Sequence, residues 1–136
     1  MKNSAKKNKM AKLNGIYKCE ICGNIVTVIN EGAAPLVCCG QDMTLLEEKT
    51  KEQEGNEKHV PVVEIEGNNV KVKVGSVPHP MEGEHYIGLI QLMKGDNVVA
   101  GKRLNPDNKP EASFCLDSAE GITARIWCNV HGVWVN

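Results

Sequence analysis

The chain has 136 residues, 41% of them hydrophobic and 24% charged, with a formal net charge of −1. That length allows one ordinary domain, or one small domain plus a tiny one held together by metal. The near-neutral charge points away from nucleic acid and anionic membrane as partners, and no apolar run approaches the roughly 18–20 residues of a membrane span.

Residues 1–14 hold five lysines and no apolar core of the kind a signal peptide needs. They read as a flexible basic tail, and the chain as cytoplasmic, where thiols stay reduced. In such a compartment six cysteines are metal ligands or catalytic groups before they are disulfides. Four of them fall within residues 15–46. A segment this short cannot bury a sufficient apolar core, so a bound metal would supply the missing stability. Residues 47–58 contain no apolar side chain and read as a polar linker or lid.

From His59 to the end, residues 59–136, the pattern is β. Val70, Val72 and Val74 alternate with Lys71 and Lys73, the mark of a strand with one wet face. Further strands are predicted over residues 60–65, 86–93, 98–104, 112–116, 122–128 and 132–135, with turn signals between them. Seven short strands at regular spacing predict an antiparallel sandwich of immunoglobulin-like type. The predicted architecture is mainly β: a small metal-binding domain followed by that seven-stranded sandwich.

Cys19 and Cys22 sit three residues apart, as metal knuckles do, and the adjacent pair Cys38 and Cys39 completes a set of four thiolates. Gly23 and Gly40 let the backbone fold back toward the sulfurs. Neighbouring strand residues face opposite ways, so Cys38 and Cys39 share an ion only if the chain bends between them. Four thiolates suit zinc or iron, and the spacing leaves the choice open. The chain has four histidines, His59, His79, His85 and His131. His79 lies between two prolines that hold it near extended geometry. His131 follows Cys128 by three residues, a spacing at which one tight turn presents two ligands.

The runs Glu57-Lys58-His59-Val60-Pro61, Val74-Gly75-Ser76-Val77-Pro78-His79-Pro80-Met81-Glu82 and Cys128-Asn129-Val130-His131-Gly132 carry a resemblance. With the four-cysteine segment, they resemble the desulfoferrodoxins, the two-iron class of superoxide reductases, from residue 15 to the end. The resemblance implies a first iron on Cys19, Cys22, Cys38 and Cys39 in a desulforedoxin-like domain. It implies a catalytic iron with His59, His79, His85 and His131 around its equator and Cys128 on its axis. Glu57 would close onto the ferric site, and Lys58 would attract superoxide and help supply protons. A homodimer and a rubredoxin-like electron donor, or its reductase, are the implied partners. Tyr86 departs from the family, where tryptophan often follows the third histidine, and Cys115 lies outside both ligand sets, as a small packing residue.

The ligand types suit that chemistry. Neutral imidazoles and one thiolate leave a ferrous site with a net charge of about +1, which favours an incoming anion. An axial thiolate donates electron density through iron, as it does in haem enzymes. Two other readings compete: a non-enzymatic protein with a zinc ribbon and a β-sandwich binding module, and an electron carrier using both irons. A two-histidine, one-carboxylate oxygenase site does not emerge.

Overall fold

The computed structural model describes residues 10–54 and 58–136. The chain divides into two compact units, Met1–Leu46 and Glu47–Asn136. Most of the basic tail and Glu57 lie outside the described residues.

In the first unit, β1 (Ile16–Lys18) is flanked by β2 (Ile25–Thr27) and by β5 (Thr44–Leu45), antiparallel to both. A separate hairpin joins β3 (Val37–Cys38) to β4 (Gln41–Asp42). The core is Ala11, Tyr17 and Val28, with Leu36, Met43 and Leu45 packed against it. Ala11 was expected in the tail. It is buried instead, and its amide donates to Ala34 O at 3.3 Å, so the ordered unit begins before residue 15. Among the described residues this cluster is a slight core, which leaves the unit dependent on its cysteines.

The second unit is a two-sheet β structure. Its larger sheet runs β10 (Asn97–Arg103), β9 (Ile87–Lys94), β12 (Ile122–Cys128), β13 (Gly132–Val135) and β6 (Glu48–Lys49). Its smaller sheet runs β11 (Glu111–Cys115), β8 (Asn69–Val74) and β7 (Pro61–Glu66). Val70, Val72 and Val74 of β8 face Ile87, Ile90 and Leu92 of β9 and Ala124 and Ile126 of β12 in one buried cluster. The valine and lysine alternation of β8 therefore puts every valine into the core, while Lys71 and Lys73 pair across strands with Glu111 and Glu64.

Two expectations need correction. Glu48 and Lys49 were read as linker, yet they form β6, paired in parallel to Val133 and Trp134. Their lack of apolar character is met by polar anchors: Arg125 reaches Glu48 at 3.4 Å, and Lys49 reaches the carbonyl of His131 at 2.9 Å. Cys115 is exposed rather than packed. Its neighbour Phe114 packs on the core, so the strand's period of two turns Cys115 outward.

Gly75 ends β8 and turns the chain toward His79. Its φ is +85°, and a Cβ there would stand 2.5 Å from the carbonyl oxygens of Lys58 and Val77. Both obstacles are backbone, which cannot swing aside. Gly75→Ala should cost about 1–3 kcal/mol, lowering the thermal midpoint of this unit by roughly 4–8 °C per kcal/mol. A melt that superimposes on the parent's would show that the turn tolerates a side chain.

Candidate metal centres

The first cluster grows from two turns. Between β1 and β2 the chain closes a knuckle: Gly23 N donates to Cys19 O and Cys19 N to Asn24 O, both at 2.9 Å. The amide of Cys22 points at Cys19 Sγ at 3.4 Å. Between β3 and β4, Cys39 and Gly40 are the two central residues of a hairpin, with φ of 53° and 77°. Positive φ at both positions is the type I′ turn that strand twist favours. This is how adjacent cysteines come to face one point: Cys38 is the last strand residue and Cys39 the first of the turn. A non-glycine residue in that region is strained. The four sulfurs lie within 4.8 Å of one another, Cys22 and Cys38 being 3.6 Å apart.

Their acidities diverge. The backbone amide of Cys22, with further help from that of Ile21, brings the Cys19 thiol down to about 6 against the opposing effect of burial. Hydrogen bonding to the sulfurs of Cys22, Cys19 and Cys38 pushes Cys39 up to about 12, and contact with Cys19 and Cys22 raises Cys38. Proton and metal compete for the same sulfurs.

The second cluster gathers strand ends at one end of the two sheets. His59 precedes β7, His79 follows β8, His85 precedes β9, Cys128 ends β12 and His131 precedes β13. The ring centroids of His59 and His79 are 4.6 Å apart, of His79 and His85 4.7 Å, of His85 and His131 5.0 Å, and of His131 and His59 4.7 Å. His59 and His85, across the figure, are 6.4 Å apart. Four near-equal sides with a longer diagonal describe a square of imidazoles. Cys128 Sγ reaches His79 Nε2 at 3.6 Å and His131 Nδ1 at 4.0 Å.

Burial and second contacts fix these groups. His59, His79 and Cys128 are buried. His79 Nδ1 lies 2.7 Å from the carbonyl of Pro80, which makes Nδ1 the donor and turns the Nε2 lone pair toward the sulfur. His59 stacks on Trp134 at 4.8 Å and 14°.

Three positioning residues were not visible in the sequence. Glu54 Oε2 accepts the amides of His59 and Val60 at 3.0 and 2.9 Å, and its other oxygen is 3.9 Å from Lys58 Nζ. It was one acid among many in a polar run. Asn129 accepts from Tyr86 N at 2.8 Å and donates to Glu84 O at 3.0 Å, so it clamps both neighbours of His85. Lying between Cys128 and His131, it could have been suspected. Trp134 gave no signal beyond being aromatic. Tyr86, the departure noted above, packs edge-on to Trp127 at 6.3 Å.

His59, His79, His85 and Cys128 bring donor atoms within 4.8 Å of one another, and His131 Nδ1 borders the same sulfur at 4.0 Å. Counting His131, the set exceeds the four donors that a closed structural zinc site takes. Borderline and soft donors without carboxylate fit a first-row transition metal such as iron and exclude magnesium or calcium.

The comparisons agree with this geometry. The family model described as Desulfoferrodoxin matches residues 51–136, and its N-terminal domain model matches residues 11–46. The chain belongs to the desulfoferrodoxin family. A desulfoferrodoxin homolog of Archaeoglobus fulgidus is 52% identical over 125 residues, 92% of this chain and 98% of that one. The desulfoferrodoxin of Nitratidesulfovibrio vulgaris is 50% identical over 119 residues, 88% and 92% of the two chains. The crystal structure of the superoxide reductase from Treponema pallidum superposes with a TM-score of 0.71 at 31% identity, covering 90% of this chain and 96% of that one. Two metal-ligand clusters on two units are what membership of the desulfoferrodoxins leads one to find.

The thiol acidities give a test of the first cluster. A metal needs thiolates, so binding at pH 7 must expel the protons of Cys38 and Cys39, while Cys19 has already lost its own. Affinity should rise with pH from about 6 upward and fall on acidification as Cys19 regains its proton. Titrating zinc into metal-free Cys128→Ser protein at pH 7 should release at least two protons per ion. Binding without proton release would exclude these thiols as the ligands.

Proposed function

We propose that this chain reduces superoxide to hydrogen peroxide at an iron held by His59, His79, His85, His131 and Cys128. The observation that carries the reading is the square of four imidazoles with a thiolate beside it. The likeness to proteins named superoxide reductase supports it. Superoxide gains one electron and two protons to become hydrogen peroxide, and an external donor must then return the electron.

A ferrous ion at this site would supply the electron. The chain supplies the rest. Four neutral imidazoles and one thiolate hold the ion while leaving positive charge for the anion to meet. The Pro80 carbonyl keeps the His79 proton on Nδ1, so Nε2 presents its lone pair on the side of Cys128. The half-exposed Lys58 ammonium draws superoxide in and orders the water that delivers protons. Glu57 would contribute, as the resemblance implies, a carboxylate to the oxidised site. Cys19, Cys22, Cys38 and Cys39 would hold a second iron, whose chemistry would be that of an electron store, with a rubredoxin-like carrier or its reductase as the external donor. The reading includes a homodimer and a cytoplasmic setting, since thiolate ligands persist where thiols stay reduced.

Metal analysis and an optical spectrum of aerobically purified protein test this directly. They should give two irons per chain and visible bands from thiolate-to-iron charge transfer. Cys128→Ser should remove superoxide reduction and one set of bands while the four-cysteine iron survives. A colourless protein holding only zinc after anaerobic purification would favour the binding-module alternative.

Lys58→Ala should slow the encounter with superoxide. A unit charge about 6 Å from an anion is worth roughly 0.7–3 kcal/mol over effective dielectrics of about 80 to 20, or about threefold to a hundredfold in rate. Glu54, 3.9 Å from the ammonium, draws the expected loss toward the lower end. The difference should shrink as salt rises. Glu57→Ala should instead change the ferric spectrum and leave the encounter rate near the parent's. Pulse radiolysis at several ionic strengths would separate the two, and identical behaviour of both variants would return them to linker.

A further inference from the structure

Lys49 belongs to the segment whose composition reads as solvated linker. Pairing of β6 with β13 sets it opposite Trp134 instead. From there Lys49 Nζ donates to the carbonyl oxygen of His131 at 2.9 Å. The same oxygen accepts the indole N–H of Trp134 at 3.1 Å. The ammonium also stands 5.4 Å from the centroid of the Trp134 ring, which stacks on His59. One cation therefore contacts the backbone of one imidazole residue and the aromatic support of another.

Its anchorage is firm. Arg125 is buried, holds Gln91 Oε1 through two N–H groups at 2.8 and 2.6 Å, and reaches Glu48 at 3.4 Å. That contact pins β6 beside β13. Among the described residues, the ion pairs of the protein do not engage Lys49, whereas Lys58 shares its charge with Glu54. Residues 47–50 also fall between the two spans that the family models match.

We propose that Lys49 is a positioning cation for the imidazole cluster, a fixed positive charge behind His131 and Trp134 that favours the reduced state of the bound iron. The inference rests on the iron assignment made above. Physically, a held charge in a partly buried setting stabilises the metal state with less positive charge. The hydrogen bond to His131 O holds the ligand turn at the same time.

The test poises the fully loaded protein at a fixed mediator potential and reads the ferrous fraction at the charge-transfer band of the Cys128-bound iron. The four-cysteine iron in the same sample is the internal reference. Lys49→Gln keeps a hydrogen-bond donor and removes the charge, and Lys49→Met is a second neutral variant should the first lose iron. Both should shift the ferric-to-ferrous ratio roughly three- to tenfold toward ferric iron, a tenfold change being about 59 mV for one electron. Lys49→Arg should stay within about twofold of the parent, and the reference iron should not move. Neutral variants that keep the parental ratio, even with a lowered melting temperature, would reduce Lys49 to a structural anchor and overturn the proposal. So would a failure of arginine to restore the ratio. Parent protein with no iron at the imidazole cluster would sink the superoxide reading itself, and this inference with it.

Discussion

The pairing of Cys128 with Gly132 across the β12–β13 hairpin sets the geometry on which the imidazole cluster depends. It returns the chain within a few residues, so that Cys128 and His131 face one point while Trp134 continues along β13. The turn is then locked from three sides. Asn129 ties it to the residues around His85, Lys49 and Trp134 hold the His131 carbonyl, and Trp134 carries the His59 ring. Each of these contacts restrains a donor through a neighbouring group. Supports of that kind keep a metal site from relaxing when its charge changes.

The two clusters answer different physical demands. The four-cysteine unit has a slight core among its described residues and a strained Cys39, so a metal there would substitute for a larger hydrophobic core. The imidazole cluster rests on a unit with an ample core of its own, built from β8, β9 and β12. Its donors can therefore be placed for chemistry rather than for cohesion. Loss of an ion from the first site would remove a fold element, whereas loss from the second would leave a sandwich standing.

Much of this was legible in the sequence because periodicity and ligand spacing are local signals. The β8 valines, the Cys19/Cys22 knuckle and the Cys128/His131 turn each lie within a few residues. The type I′ conformation at Cys39 and Gly40 was implied only as a required bend. What could not be read depends on distant pairing. Glu54, Glu48 and Lys49 have the composition of solvent-exposed residues, and only their partners at His59, Arg125 and His131 distinguish them. Hydropathy separates core from surface; it does not separate a solvated charge from one that anchors a ligand. Glu57 lies outside the described residues, so its place rests on the resemblance alone.

Parallel pairing at β6 has a consequence for cutting and recombining this protein. A fragment beginning at His59, the natural choice if residues 47–58 were only tether, would discard the strand that covers the outer edge of β13. Unpaired amides and carbonyls beside Trp134 would then offer a template to any extended peptide, including another copy of the fragment. The graft point for exchanging the cysteine unit, or for fusing the sandwich to a foreign partner, is accordingly the Leu46–Glu47 junction.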